Sequence, residues 1–201
     1  MTAIVLTEET KTTQPANAAP LGLSGFALTT ILLSAINAKL IPDASVSVVV
    51  PLAFSYGGLG QVLTGILEFK NGNTFGTVAY SSFGLFWIWY AMLQWTVGAG
   101  WLKPPAPEGV GAALAIWGVL AFGLWLATFR TNFVVWSLFL VLWVTFFLLA
   151  ASSFGMPTDQ IGGWTGLLLG AEALYLAIAD VLKAMYGREC LPLGKPPIRS
   201  V

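Results

Sequence analysis

Residues 133–153 read FVVWSLFLVLWVTFFLLAASS, an apolar run without one charged residue. A helix crosses the hydrocarbon core with roughly 20 mostly apolar residues, and this run has that length. Working outward, five further stretches qualify: about Leu21–Leu40, Ser45–Leu67, Thr77–Val97, Val110–Phe129 and Gly163–Met185. Polar breaks with turn chemistry separate them, among them Ile41-Pro42-Asp43, Arg130-Thr131-Asn132 and Met156-Pro157-Thr158-Asp159. Prolines concentrate in these breaks, where a missing N–H costs nothing. The runs lack the alternation of a membrane β-strand and are about twice its length. The expected architecture is an all-α integral membrane protein with six transmembrane helices per subunit. A polar tail over 1–19, a six-helix membrane domain over 20–186 and a second tail over 187–201 complete it.

Composition agrees. Of 201 residues 57% are hydrophobic and only 9% charged, against about a quarter charged in a soluble domain. The net charge is zero and no basic cluster could hold nucleic-acid phosphates. One cysteine, Cys190, and no histidine argue against a disulfide framework and against a transition-metal site. No cofactor is expected. The first 19 residues lack a basic n-region, so they do not read as a signal peptide. Lysine and arginine set the orientation. With the N-terminus inside, one side receives Lys11, Lys70, Arg130, Lys183, Arg188, Lys195 and Arg199, and the other only Lys39 and Lys103. Both termini are therefore expected on the cytoplasmic side. Trp101, Trp87, Trp89 and Tyr90 read either as interface anchors or as bundle filler.

Glycines mark helix faces. Gly162, Gly166 and Gly170 recur every four residues, and Gly57, Gly58, Gly60 and Gly65 give the second run a similar surface. Small residues let helices in lipid approach closely. The stripe is read first as packing within one subunit and second as a seam between subunits.

Enzyme readings find little support. Gly22-Leu23-Ser24-Gly25 hints at an intramembrane serine protease, but a serine nucleophile needs a base. The chain has no histidine, and the only lysines within the runs, Lys39 and Lys183, stand at their ends.

The same region carries a more specific signal. Asn17-Ala18-Ala19-Pro20-Leu21-Gly22-Leu23-Ser24-Gly25-Phe26 resembles the N-terminal signature of the acetate uptake transporter family, the YaaH-type acetate/succinate permeases. Tyr56-Gly57-Gly58, Gly65, Glu68-Phe69 and Gly72-Asn73-Thr74-Phe75-Gly76 resemble its second block. Gly163-Trp164, Gly166, Tyr175, Gly187-Arg188 and Leu191-Pro192-Leu193-Gly194 look like its C-terminal end. Ala18 stands where the family usually has proline, a departure expected to relax the approach to the first helix. The resemblance implies transport of acetate and related small monocarboxylates, with succinate included, through a pore in each subunit of a ring of six in the plasma (inner) membrane. Channel and proton-coupled carrier both remain open. It further implies a hydrophobic constriction of Phe26, Phe83 and Leu138; the middle position is often tyrosine, so Phe83 lacks a hydroxyl. A non-transporting membrane sensor or scaffold is the alternative, although only tails of about 20 residues could signal.

A small carboxylate needs apolar wall for its methyl group and donors for its oxygens. Lys39 and Lys183 stand at the ends of their runs and no lysine or arginine lies deeper, so the donors must be neutral. Asn17, Thr29, Thr30, Tyr56 and Gln61 are put forward among the Ser, Thr, Asn, Tyr and Gln side chains in and just before the first three runs. For each hydroxyl the competing reading is a bond back to its own helix. Gln61 is singled out because an amide is costly in hydrocarbon unless something polar meets it. Asn17 either caps the first turn, whose free N–H groups favour an anion, or donates to a carboxylate. Glu172 falls near mid-bilayer, where an acidic residue costs about 2.5–3.5 kcal/mol on insertion scales. It reads as a candidate proton site coupled to transport, or as a protonated glutamate bonded to a neighbouring helix. Asp180 and Lys183 read as a helix-surface ion pair, and Glu68 as an anchor for its loop.

Overall fold

The computed structural model describes residues 16–198, whose regular structure is entirely helical. Lys11, Arg199 and most of the 1–19 tail lie outside the described residues. Helix α1 (Ala19–Asn37) carries Pro20 in its first turn, where no N–H is needed. Ala18, the residue before this helix, has φ of −85° and ψ of −18°, already in the helical region. The second rod, Asp43–Lys70, comprises a short 3-10 turn, α2 (Val46–Leu52), a π-helical stretch (Ala53–Gly60) and α3 (Gln61–Lys70). Then come α4 (Thr74–Gly98), α5 (Pro107–Ala127), α6 (Phe133–Ser153) and α7 (Asp159–Tyr186). Six rods stand where six apolar runs are expected. Five are long and apolar enough to cross a membrane; α4, at 25 residues, is long enough, but its Thr, Ser, Tyr and Gln side chains make it less apolar.

The polar breaks supply the caps. Asn73 Oδ1 accepts from Gly76 N (3.0 Å) to start α4, and Asn132 Oδ1 accepts from Val135 N (2.9 Å) to start α6. Glu68 does anchor its loop, accepting from Asn73 Nδ2 at 2.6 Å. Gly187, with φ of 66°, closes α7 in the left-handed conformation that favours glycine. Beyond it the chain turns back: Tyr175 donates to Pro192 O (2.9 Å), Val134 N to Leu193 O (3.1 Å) and Ile198 N to Phe129 O (3.1 Å).

Pro51 departs from the expectation that prolines sit in the breaks, for it lies inside α2. Having no N–H, it leaves a carbonyl one turn earlier without the usual partner. Two residues on, the helix widens into the π stretch. Side chains meet carbonyls there: Ser55 Oγ donates to Pro51 O (2.7 Å) and Gln61 Nε2 to Gly57 O (2.6 Å).

Glycines bring the rods together within the subunit. The most extensive contact is between α1 and α7. A methyl group on Gly163 would meet Ala38 N, one on Gly166 would meet Ser34 Oγ, and one on Gly170 would come within 2.5 Å of Ile31 Cγ1. Of the stripe itself, Gly166 and Gly170 pack α1, whereas Gly162 packs Leu149 of α6 (2.7 Å from a methyl placed there), so all three serve packing inside one subunit, the first of the two readings. Gly58 and Gly84 do the same between the second rod and α4: a methyl on Gly84 would lie 2.8 Å from Gly58 O. Successive rods run antiparallel, which brings Lys70, Arg130, Lys183, Arg188 and Lys195 to the end where α1 begins. The opposite end holds Lys39, paired with Asp43 at 3.0 Å, and Lys103.

Candidate functional site

Two cavities enter the bundle. Cavity I, about 460 Å³, lies at the end where α1 begins and reaches past Ala19, Asn73, Asn132 and Asp180 to Gln61, Phe83 and Leu138. Cavity II, about 490 Å³, enters from the other end past Asn37, Pro104 and Asp159 and reaches Thr30, Trp87 and Phe146. Phe26 of α1 and Leu142 of α6 line both. The partition between the cavities therefore stands at these two side chains.

Rings reinforce it. Phe83 is 3% exposed, with its ring centroid 6.3 Å from Phe26 and 6.1 Å from Phe146, against which it stacks. Phe139 and Trp117 flank it at 6.5 and 6.1 Å. Phe26, Phe83 and Leu138, assigned together from sequence, are all buried and all line cavity I; only Phe26 also reaches cavity II. Leu142 was not singled out in the sequence. It follows Leu138 by one helical turn, so a search along the same face of α6 could have found it.

The five expected donors separate. Thr30 lines cavity II and Gln61, 2% exposed, lines cavity I. Thr29 lines neither: its hydroxyl donates to Gly25 O (2.8 Å) and its side chain packs against Gly57. Tyr56 also lies off both cavities, where its carbonyl packs on Gly25. Asn17 stands at the start of α1 with both ends of its amide engaged. Its Oδ1 accepts from Ala19 N (3.0 Å) and its Nδ2 donates to Asp180 Oδ2 (3.3 Å). Asp180 is consequently not the partner of Lys183, which pairs with Glu189 at 3.2 Å. Glu172 lies in the α6–α7 seam, away from both cavities: Ser137 Oγ donates to its Oε1 at 2.6 Å, and its Oε2 is buried without a partner.

Trp87, at 3% exposure, lies inside the bundle at the wall of cavity II rather than at an interface, whereas Trp101 is exposed just beyond the end of its rod. Among the described residues lining the two cavities there is no lysine or arginine, and the only carboxylates are Asp159 and Asp180, one near each end of α7. The described residues hold no cluster of metal-ligating side chains.

Residues 3–187 match the sequence profile of the GPR1/FUN34/yaaH family. The chain belongs to the GPR1/FUN34/yaaH family. Among its relatives, the succinate-acetate/proton symporter SatP of Escherichia coli (strain K12) is 37% identical over 185 residues, covering 91% of this chain and 97% of the relative. Acetate permease A of Emericella nidulans is 35% identical over 199 residues, covering 90% and 67%. The GPR1/FUN34/yaaH fold is shared with the solved structure of the bacterial acetate channel SatP. The TM-score is 0.86 at 36% identity, with 90% of this chain and all of that one covered. These relatives are named for transport, in keeping with a membrane bundle rather than an enzyme.

Proposed function

We propose that the chain moves acetate, succinate and related small carboxylates across a membrane through a passage inside each subunit. The observation that carries this reading is the meeting of two cavities at Phe26 and Leu142, within the bundle of a family member 37% identical to a succinate-acetate symporter. Substrate enters a cavity from either end, sheds water against the apolar partition, and leaves by the other. Phe26, Phe83 and Leu138 form the filter with Leu142. Thr30 and Gln61 meet the carboxylate, while Asn17, Thr29 and Tyr56 support the walls.

Further elements of the proposal rest on sequence. Residues 20–186 form the transport unit between tails of 1–19 and 187–201. The seven-to-two excess of lysine and arginine supports the reading that both termini face the cytoplasm, with the plasma membrane as the expected location. Six subunits assemble into a ring. The relatives bear the names of both a channel and a proton symporter. The buried, unpartnered Oε2 of Glu172 supports the symporter reading, with this carboxyl as the proton site.

Uptake of labelled acetate into liposomes holding only this protein tests the function. Flux that follows the acetate gradient alone identifies a channel, and flux that an imposed pH gradient drives uphill identifies a proton-coupled carrier. Folded protein that moves no carboxylate indicates the sensor or scaffold.

A further inference from the structure

We propose that a groove on the outside of the bundle, at the end where α1 begins, holds an anionic phospholipid, with its phosphate on Arg130 and an acyl chain along the outer face of α5. The groove, about 390 Å³, is lined by Leu126, Ala127, Phe129, Arg130 and Ile198. Its walls are apolar apart from one cation, which is the complement of a charged headgroup joined to a hydrocarbon tail.

Depth favours such a ligand. The rod Pro107–Arg130 has 24 residues. That is about 36 Å of helix at 1.5 Å per residue, against a hydrocarbon core of about 30 Å. Arg130, its last residue, therefore falls at the level of the headgroups, where long basic side chains place their charge. Along α5, Ile116, Val119, Phe122 and Leu126 recur every three or four residues, and all are exposed. They form one apolar stripe, which enters the groove at Leu126.

The guanidinium is available to a phosphate. Among the described residues the ion pairs are Lys39–Asp43 and Lys183–Glu189, and Arg130 has no carboxylate partner. A guanidinium stays charged, and its planar fork of donors fits two phosphate oxygens. A second copy of the chain on this face would have to supply an acid for Arg130, whereas a headgroup carries its own.

The returning chain builds the far wall. Ile198 N donates to Phe129 O and Val134 N to Leu193 O, each at 3.1 Å, which ties the segment after α7 to both sides of the α5–α6 turn. Ala127 lines this groove and cavity I alike. A lipid seated here braces that turn from outside, and with it the wall of cavity I to which Thr131 and Asn132 belong.

Full-length protein in detergent is titrated with phosphatidylglycerol, phosphatidylcholine or glycerol 3-phosphate, and bound molecules are counted by native mass spectrometry. Phosphatidylglycerol should stay bound and raise the melting temperature. Phosphatidylcholine should bind more weakly, and glycerol 3-phosphate, which has the phosphate without the chains, should not be retained. Arg130→Gln should weaken phosphatidylglycerol retention roughly five- to tenfold, the value of one cation at the headgroup. Arg130→Lys should fall between, and Lys195→Gln, which removes a cation outside the groove, should stay near wild type. Equal losses in Arg130→Gln and Lys195→Gln indicate a diffuse surface attraction and overturn the site. Undiminished phosphatidylglycerol retention by Arg130→Gln, or equal retention of the two lipids by the wild type, overturns it as well. Retained glycerol 3-phosphate replaces the lipid with a soluble phosphate. Fewer subunits in Arg130→Gln at an unchanged lipid count assign the face to a second copy instead. Bound phosphatidylglycerol that leaves the melting temperature unmoved retains the site and overturns the bracing.

Discussion

Truncating Phe26 to alanine tests the partition where its two sides meet. The ring is 7% exposed, sits 6.3 Å from that of Phe83 and borders both cavities. Losing the pair with Phe83 costs about 0.5–1.5 kcal/mol, within the 3–5 kcal/mol typical when a buried phenylalanine becomes alanine, roughly. Because cavities flank the ring, it has fewer neighbours to lose, and we expect a cost near ~3 kcal/mol. Removing the phenyl joins cavities of about 460 and 490 Å³. Apolar walls discriminate one added carbon by about 1–3 kcal/mol. Relieving that discrimination should raise lactate flux relative to acetate by about tenfold. The assay is uptake of labelled acetate and lactate into liposomes at matched protein content, with a melting curve for each preparation. A folded Phe26→Ala protein with the wild-type lactate-to-acetate ratio would falsify the filter.

Other perturbations address separate parts of the molecule. Gly166→Leu drives a side chain into Ser34 and should part α7 from α1, seen as a lower melting temperature; mass measurement of the wild type in detergent should give six copies, and a fully active monomer would exclude a required ring. Glu172→Gln keeps shape and polarity but cannot bind and release a proton, so exchange of labelled for unlabelled acetate should persist while gradient-driven accumulation collapses; unchanged accumulation removes Glu172 from coupling. Asn73→Ala deletes both the cap on Gly76 and the bond to Glu68, a loss of about 1–2 kcal/mol; thermal unfolding indistinguishable from wild type would refute the anchoring role of that loop.

The helical rods were legible because each is set by length and apolarity, which are local. Phe26 was legible because it lies inside a signature. What depends on the angular position of neighbouring rods was not. Thr29 and Thr30 are adjacent in sequence, yet consecutive residues on a helix point about 100° apart. One therefore packs on Gly57 and the other lines cavity II. No periodicity in α1 could choose between them without the position of the second rod. The place of Glu172 midway along its helix followed from counting, whereas its direction, into the α6–α7 seam, required Ser137. The π stretch escaped notice although Pro51 stands just before it, because proline announces a disturbance without saying how the chain absorbs it.

The meeting of the two cavities at Phe26 and Leu142 has a consequence for membrane voltage. An acetate ion that passes there without a proton carries one full charge through the field, whatever fixed charges line its path. Against 100 mV, negative on the side being entered, that charge meets about 2.3 kcal/mol, which at equilibrium holds the ion roughly fiftyfold more dilute on the negative side. Passage of the bare anion would therefore favour export from an energised compartment. Import against such a voltage needs either rapid consumption of acetate inside or a proton travelling with it, which makes the event electrically silent. Clamping the voltage with potassium and valinomycin while following acetate separates these regimes, because the bare anion responds to the clamp and the neutral pair does not.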